Sequence, residues 1–146
     1  EGWQVWLLGS DKDQSVAEEI IRQLPQEQRH LAKNLAGTTQ LEDAIDLLAA
    51  ADAVVSNDSG LMHIAAALNR PMVVIYGSTS PKFTPPLSEQ VAIMSLDVDC
   101  GPCFQRECPK PKEDAAAHMK CLKNLSPEQV LEALQQLVSS ERTLVK

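Results

Sequence analysis

The sequence predicts an α/β fold, with a Rossmann-like parallel sheet and helices on both faces of that sheet. Short apolar runs alternate with amphipathic helical patterns along the whole chain. Residues 53–55 and 72–76 are apolar throughout, as expected of strands that are buried on both faces. Glycine, proline and helix-capping residues separate the periodic segments. A chain of 146 residues has the length of one domain, so a single domain is expected over residues 1–146.

The first half of the chain predicts one strand and two helices. Residues 3–8 form an apolar run that ends in a polar turn, which is typical of a strand that leads into a helix. A second helix is predicted to begin at Thr39, whose side chain caps it while Glu42 reaches back. The stripe expected to be buried in the first helix is Val16, Ala17, Ile20, Ile21 and Leu24, and that in the second is Leu41, Ala44, Ile45 and Leu48.

The second half predicts three strands and two further helices. Residues 53–55 form a short strand that runs into a turn at residues 56–60, and a helix follows at once. Residues 72–76 and 91–96 form the next two strands. Ser126, Pro127 and Gln129 mark the start of the last helix as a capping box. The apolar positions of these two helices are Leu61, Ile64, Ala65 and Leu68, and then Val130, Leu134, Leu137 and Val138.

The charge of the chain excludes some classes of partner. Thirteen Lys and Arg residues stand against 20 Asp and Glu residues, for a net charge of −7. This balance opposes nucleic acid or an anionic lipid surface as a general partner. A small anionic ligand stays compatible with it, because a helix N-terminus and local cations act over short distances. No apolar run is long enough to span a membrane and no signal peptide is recognised, which favours a cytoplasmic location.

The turn at residues 56–60 is the best candidate for a ligand site. Ligands of open parallel sheets bind beyond the carboxyl ends of the strands. Gly60 permits a close approach to the backbone, and the free N–H groups of the following helix favour a phosphate, to which Ser59 could add a hydroxyl. Asp58 would repel a phosphate directly beside it. Its side chain either caps the helix or accepts hydrogen bonds from sugar hydroxyls.

His63 follows in the first turn of the same helix. It lies about 200° around the helix from Leu61 and so away from the apolar stripe. It either faces the same ligand as Gly60 or is a solvent-exposed residue. Neither G-x-G-x-x-G nor the Walker A pattern is present, which argues against a standard dinucleotide dehydrogenase and a P-loop phosphotransferase.

The segment VSNDSGLMHIAAAL at residues 55–68, continuing through YGSTSP at 76–81 and FTPPLS at 83–88, resembles glycosyltransferase family 9. The resemblance implies the C-terminal, donor-binding half of a two-domain GT-B enzyme. Members of the family transfer heptose from ADP-heptose to the lipopolysaccharide inner core, with inversion and without a metal or other cofactor. It also implies that the acceptor site, a carboxylate general base and a phosphate-contacting lysine lie before Glu1.

The same resemblance assigns roles to individual positions. Asp13 would bind the ribose hydroxyls, and Thr38 and Thr39 would lie near the adenine. Asp58 would contact the heptose. The diphosphate would be surrounded by Ser59, Gly60, Leu61 and His63. We expect no catalytic residue in this chain, which alone should bind the donor weakly without turnover, and we expect the whole enzyme to work at the inner face of the inner membrane.

Two hypotheses of other kinds stay open at this point. The same turn could belong to a non-catalytic, Rossmann-like module that binds a phosphorylated ligand. A nucleotide-sugar epimerase of similar architecture is the third alternative. Thr38 and Thr39 do not by themselves specify adenine over other bases.

A cysteine-rich loop is expected at residues 99–121. Cys100, Cys103, Cys108 and Cys121 follow the pattern C-x2-C-x4-C-x12-C. This spacing permits a structural zinc ion or an iron–sulfur cluster. The cysteines could instead be reduced thiols packed as small apolar groups, or could form disulfides.

Overall fold

A computed structural model describes residues 2–144, and their side chains as far as Ser140. The chain divides into two compact units, Glu1–Asp46 and Leu47–Lys146. The α/β class is confirmed, since every strand pairing is parallel and helices follow strands. The expectation of a single domain over residues 1–146 stays a prediction. Among the described residues, no helix is both long and apolar enough to cross a membrane.

The first unit contains a two-stranded parallel sheet, β1 (Val5–Leu7) and β2 (Ala32–Asn34). Helix α1 (Gln14–Gln23) packs against β2. The predicted stripe of α1 is only partly correct, because Ala17 is buried whereas Val16 and Ile20 are exposed. Within this unit the sheet is two strands wide, which is too narrow to cover the whole stripe. The short strand β2 was not predicted.

Helix α2 (Leu41–Ala50) begins two residues later than expected. The predicted cap by Thr39 and Glu42 is wrong. The carboxylate of Asp43 instead accepts a hydrogen bond from the backbone N–H of Gln40, at 2.9 Å. Asp43 follows Gln40 by three residues, the same spacing as Glu42 after Thr39. It therefore makes the hydrogen bond that was expected of Glu42, one residue further along the chain. Leu41 is consequently exposed, while Ala44 and Leu48 are buried as predicted.

The second unit contains the main sheet, in the order β3 (Val54–Asn57), β4 (Met72–Tyr76) and β5 (Val91–Ser95). Met72, Val73 and Val74 are fully buried. Successive strand residues point to opposite faces, so both faces of β4 are covered, as its continuous apolar sequence predicts. Helices α3 (Gly60–Ala67), α4 (Lys120–Lys123) and α5 (Pro127–Leu144) each contact β4.

The start of α5 agrees with its predicted capping box. The Ser126 hydroxyl accepts a hydrogen bond from the Gln129 N–H at 3.4 Å, and the Gln129 side chain accepts one from the Ser126 N–H at 3.3 Å. Val138 is buried and the other predicted apolar positions are half-buried. Local residue types therefore defined this helix start correctly.

Candidate functional site

The predicted ligand turn lies where β3 ends and α3 begins. Ser59 has an extended backbone, and its hydroxyl accepts a hydrogen bond from the Met62 N–H at 3.4 Å. Ser59 is therefore the cap of α3, and the capping interpretation of Asp58 is wrong. Met62 is fully buried and anchors the first turn of the helix in the core. This arrangement fixes the direction of the α3 N-terminus.

The N-terminus of α3 opens onto free space. Gly60 is exposed, and a Cβ atom built on it would meet nothing within 4 Å. The N–H groups of Gly60 and Leu61 belong to the first turn of a helix, where the backbone offers no carbonyl partner inside the helix. These donors, together with the helix dipole, are suited to an anion. Packed side chains do not cover the turn at Gly60.

Asp58 is held by a residue far along the chain. The Thr84 hydroxyl donates a hydrogen bond of 2.8 Å to Asp58 Oδ2. The Thr84 carbonyl accepts a hydrogen bond from the hydroxyl of Tyr76, a side chain that is 1% exposed. Burial raises the pKa of Tyr76, and the negative charge of Asp58 raises it further. The buried Tyr76 thus anchors Thr84, and Thr84 in turn orients the carboxylate.

Thr84 was not among the predicted site residues. It lies in the segment 78–88, which is rich in Pro, Ser and Thr and follows β4 directly. Because the carboxyl ends of neighbouring parallel strands meet at one edge of a sheet, a polar segment after β4 was a usable signal for residues near Asp58.

The other predicted residues of α3 lie as expected from their helical positions. His63 is exposed, which confirms that it points away from the core. Leu61 is half-buried in the same turn. The structure thus brings Asp58, Ser59, Gly60, Leu61 and His63 together in one turn and the helix that it opens.

In the first unit, Asp13 lies in a short 3-10 turn, Asp11–Asp13, after β1. Its Oδ2 accepts hydrogen bonds from the Ser10 N–H at 2.8 Å and from the Ser10 hydroxyl at 2.7 Å. These two bonds lower the pKa of Asp13, and the bond from the Ser10 hydroxyl has the larger effect. One carboxylate oxygen thus stabilises the turn, while Oδ1 has no bond within the described residues and is available to a ligand.

Thr38 and Thr39 follow β2, the strand paired with β1. The Thr38 hydroxyl donates a hydrogen bond of 2.9 Å to the Leu35 carbonyl, while Thr39 is half-buried. The Gly37 N–H donates to the Gly9 carbonyl at 2.9 Å and ties the two loops together. The structure therefore brings Asp13 and the two threonines to the same edge of the β1–β2 sheet.

The four cysteines of the loop at residues 99–121 are free and half-buried. All four line one cavity of about 450 Å³, next to Gly77 and Ser78 at the end of β4. Among the described residues, no group of three or more His, Cys, Asp or Glu side chains is arranged to hold a metal ion. Helix α4, which was not predicted, begins at Lys120 near the end of this loop and ends at Lys123, beyond it.

The chain is similar to proteins of one family over most of its length. A family model described as glycosyltransferase family 9 (heptosyltransferase) matches residues 1–114. Lipooligosaccharide heptosyltransferase 2 of Haemophilus influenzae is 45% identical over 141 residues, covering 95% of this chain and 39% of that protein. Lipopolysaccharide heptosyltransferase 2 of Escherichia coli is 46% identical over 142 residues, covering 97% of this chain and 39% of that protein. The chain thus spans about two fifths of the length of these relatives.

Two solved structures are also similar. One, described as the E. coli ADP-heptose LPS heptosyltransferase II, matches with a TM-score of 0.81 and 44% identity, over 97% of this chain and 38% of that one. The other, a family 9 glycosyl transferase from Veillonella parvula, matches with a TM-score of 0.73 and 21% identity, over 95% and 37%. The second likeness supports the fold alone.

Proposed function

This chain belongs to glycosyltransferase family 9, and from that premise we propose that it is the donor-binding part of a heptosyltransferase II. The whole enzyme would transfer heptose from ADP-heptose to the lipopolysaccharide inner core, at the inner face of the inner membrane. The observation that chiefly supports the proposal is the open N-terminus of α3, with Gly60 exposed and the first-turn amides free of helical partners. Relatives with this name match nearly the whole chain.

In this proposal the diphosphate of the donor binds at the start of α3. The N–H groups of Gly60 and Leu61 donate to its oxygens, and the Ser59 hydroxyl and the His63 imidazole lie beside it. The positive end of the helix dipole adds to these bonds. When the bond to heptose breaks, negative charge grows on the departing diphosphate, so the same donors stabilise the transition state more than the ground state.

Asp58 is proposed to accept hydrogen bonds from hydroxyls of the heptose. A carboxylate is an acceptor with several lone pairs, and Thr84 occupies only one position on Oδ2. Because Thr84 is itself bonded to the buried Tyr76, the carboxylate has a defined orientation before the ligand arrives. Such preorganisation lowers the entropy lost on binding.

The first unit is proposed to serve the nucleoside. Asp13 Oδ1 would accept hydrogen bonds from the ribose hydroxyls, while Oδ2 maintains the turn through Ser10. Thr38 and Thr39 would lie near the adenine. The carboxylate general base and the acceptor site are assigned to the part of the relatives that this chain does not span. On this proposal the 146-residue chain binds the donor but does not turn it over.

Calorimetric titration of the 146-residue chain with ADP-heptose, ADP and UDP-glucose tests the donor site. We expect weak binding of ADP-heptose and ADP, with UDP-glucose weaker still. Gly60→Val should reduce the affinity for both adenine ligands by about tenfold or more, which corresponds to roughly 1.4 kcal/mol, because the new side chain stands where a phosphate would approach. Asp58→Asn should reduce the affinity for ADP-heptose more than the affinity for ADP.

Asp52→Asn is the matched control, since Asp52 is an exposed carboxylate before the opposite end of β3. It should leave all three affinities unchanged. Unaltered affinity in Gly60→Val and Asp58→Asn would contradict the site. Equal effects of Asp58→Asn on ADP and ADP-heptose would remove its role at the sugar and favour a module that recognises only the phosphorylated nucleotide.

A further inference from the structure

The cysteine loop contains a cavity that the proposed donor site does not use. Cys100, Cys103, Cys108 and Cys121 all line it, and none of them is paired. Burial raises the pKa of Cys121, and the other three cysteines raise it further. Four thiols around one space of about 450 Å³ can react with one another and with a small molecule in that space.

The Cys108 sulfur differs from the others in its contacts. The Met119 N–H donates a hydrogen bond to Cys108 Sγ at 3.3 Å. Hydrogen bonds from the backbone of Met119 and of Lys110 lower the pKa of the Cys108 thiol, and the charges of Lys110 and Lys123 lower it further. A backbone donor aimed at a sulfur stabilises the thiolate, which is the nucleophilic form of cysteine.

The wall of the cavity favours a negatively charged occupant. Arg106, Lys110 and Lys112 line it, and Glu107 is the acidic residue on the wall. Lys120 also lines the cavity, but it forms an ion pair of 2.5 Å with Asp99. The three remaining cations therefore exceed the one acidic group. His118 bonds the Lys110 carbonyl through Nδ1, which ties the two sides of the loop together near Cys108.

We propose that this cavity is a thiol–disulfide exchange site for a small anionic disulfide, with Cys108 as the nucleophile and Cys121 as the resolving thiol. Cys121 is assigned this role because it lies two residues after Met119, whose N–H contacts the Cys108 sulfur. This inference does not depend on the donor site, since none of the proposed donor-binding residues lines the cavity.

The exchange proceeds in two balanced steps. The Cys108 thiolate attacks one sulfur of the small disulfide, so that a bond forms to Cys108, the original S–S bond breaks and one small thiolate leaves. Cys121 gives up its proton to a small thiolate and attacks the Cys108 sulfur, which releases the second small thiolate. The second small thiolate takes up the proton that Cys108 released to solvent when it ionised. Two electrons and two protons thus move from the cysteine pair to the disulfide, one of the protons through solvent, and the products are one protein disulfide and two small thiols.

Mass spectrometry of the reduced 146-residue chain tests the proposal with glutathione disulfide as the probe. Samples quenched with acid and digested should show the first adduct on Cys108, formed at least tenfold faster than on any other cysteine. The adduct should then decay into a Cys108–Cys121 disulfide. This measurement needs no variant, so it does not depend on a substitution being tolerated by the fold. First modification at another cysteine, or equal rates at all four, would overturn the assignment.

Two comparisons separate the parts of the proposal. Cys121→Ser should accumulate the Cys108 adduct, whereas Cys103→Ser, as the matched control, should still form the Cys108–Cys121 disulfide. Glutathione disulfide should react several-fold faster than the cationic disulfide cystamine. Each rate is first divided by the rate at which the same disulfide reacts with free cysteine. The reverse charge preference would refute an anionic ligand. A chain that binds one zinc ion tightly and reacts only after chelation would replace the exchange site with a metal site.

Discussion

The turns after β1 and after β3 contain the same residue types but use them differently. In the first, a Cβ atom on Gly9 would lie 2.8 Å from the Asp13 Cβ. Gly37 belongs to the loop after β2, which bonds to this turn, and a Cβ atom on it would overlap the side chain of Asp11. In the second, a Cβ atom on Gly60 would meet nothing within 4 Å. The first turn needs glycine to close the backbone on itself. The second has glycine where the backbone faces open space.

The carboxylates of the two turns differ in the same way. Asp13 bonds the backbone and side chain of Ser10, three residues earlier. Asp58 bonds Thr84, which lies 26 residues later. A local bond stabilises one turn, whereas a distant bond fixes the carboxylate relative to another loop of the same unit. Glycine after a strand therefore indicates an anion site at the backbone only where the backbone around it stays uncovered, whereas a closed turn can offer a ligand only its side chains.

The largest expected effect is at Gly37. Its φ is +68°, and a Cβ atom would also lie 2.8 Å from the Asp11 Cα. Gly37→Ala should therefore lower the free energy of unfolding by about 2 to 4 kcal/mol, from the left-handed backbone and the steric overlap together. Urea denaturation followed by circular dichroism measures this loss.

Gly2→Ala is a useful control for Gly37→Ala. Gly2 also has a positive φ, of +76°, but a Cβ atom there meets nothing within 4 Å. The control should cost about 1 kcal/mol or less. Equal losses in the two variants would mean that close packing at Gly37 contributes nothing, and the contrast between the two turns would fail.

Local sequence signals predicted much of the fold and part of the site. The continuous apolar run of β4, the capping box at Ser126 and the exposed position of His63 each depend on residues within one element, and each is confirmed. The turn that contains Ser59 and Gly60 was likewise visible, because glycine and a capping serine lie next to a strand and a helix.

Features that depend on distant residues were not predicted. The polar segment after β4 indicated that some of its residues lie near Asp58, but no pattern within it identifies Thr84 as the residue that bonds the carboxylate. The exposure of Val16 and Ile20 depends on the width of the sheet beside α1 rather than on their spacing. The start of α2 was misplaced because Asp43 and Glu42 are equally plausible capping carboxylates in the sequence.

A smaller effect is expected at Asp13, as a dependence on pH. Its folded pKa lies below the ordinary value of 3.8, so its charge stabilises the folded chain above that value. This contribution is lost as the pH falls through the lower, folded pKa. Asp13→Asn should therefore melt below the wild type at pH 6, and the difference should shrink as the pH approaches 3. Scanning calorimetry checks this, and a difference that stays constant with pH would contradict the role of the charge.

The smallest effect on stability is expected at Gly60, the glycine whose surroundings differ most from those of Gly37. Gly60→Ala adds a methyl group to the first residue of α3, in open space and without a positive φ. The free energy of unfolding should change by no more than about 0.5 kcal/mol, because nothing packs against the added group. Urea denaturation of Gly60→Ala and Gly37→Ala under the same conditions measures the two changes in the free energy of unfolding on one scale. A loss at Gly60 as large as that at Gly37 would mean that this turn is closed by packing, and the α3 N-terminus would then be a structural junction rather than a phosphate site.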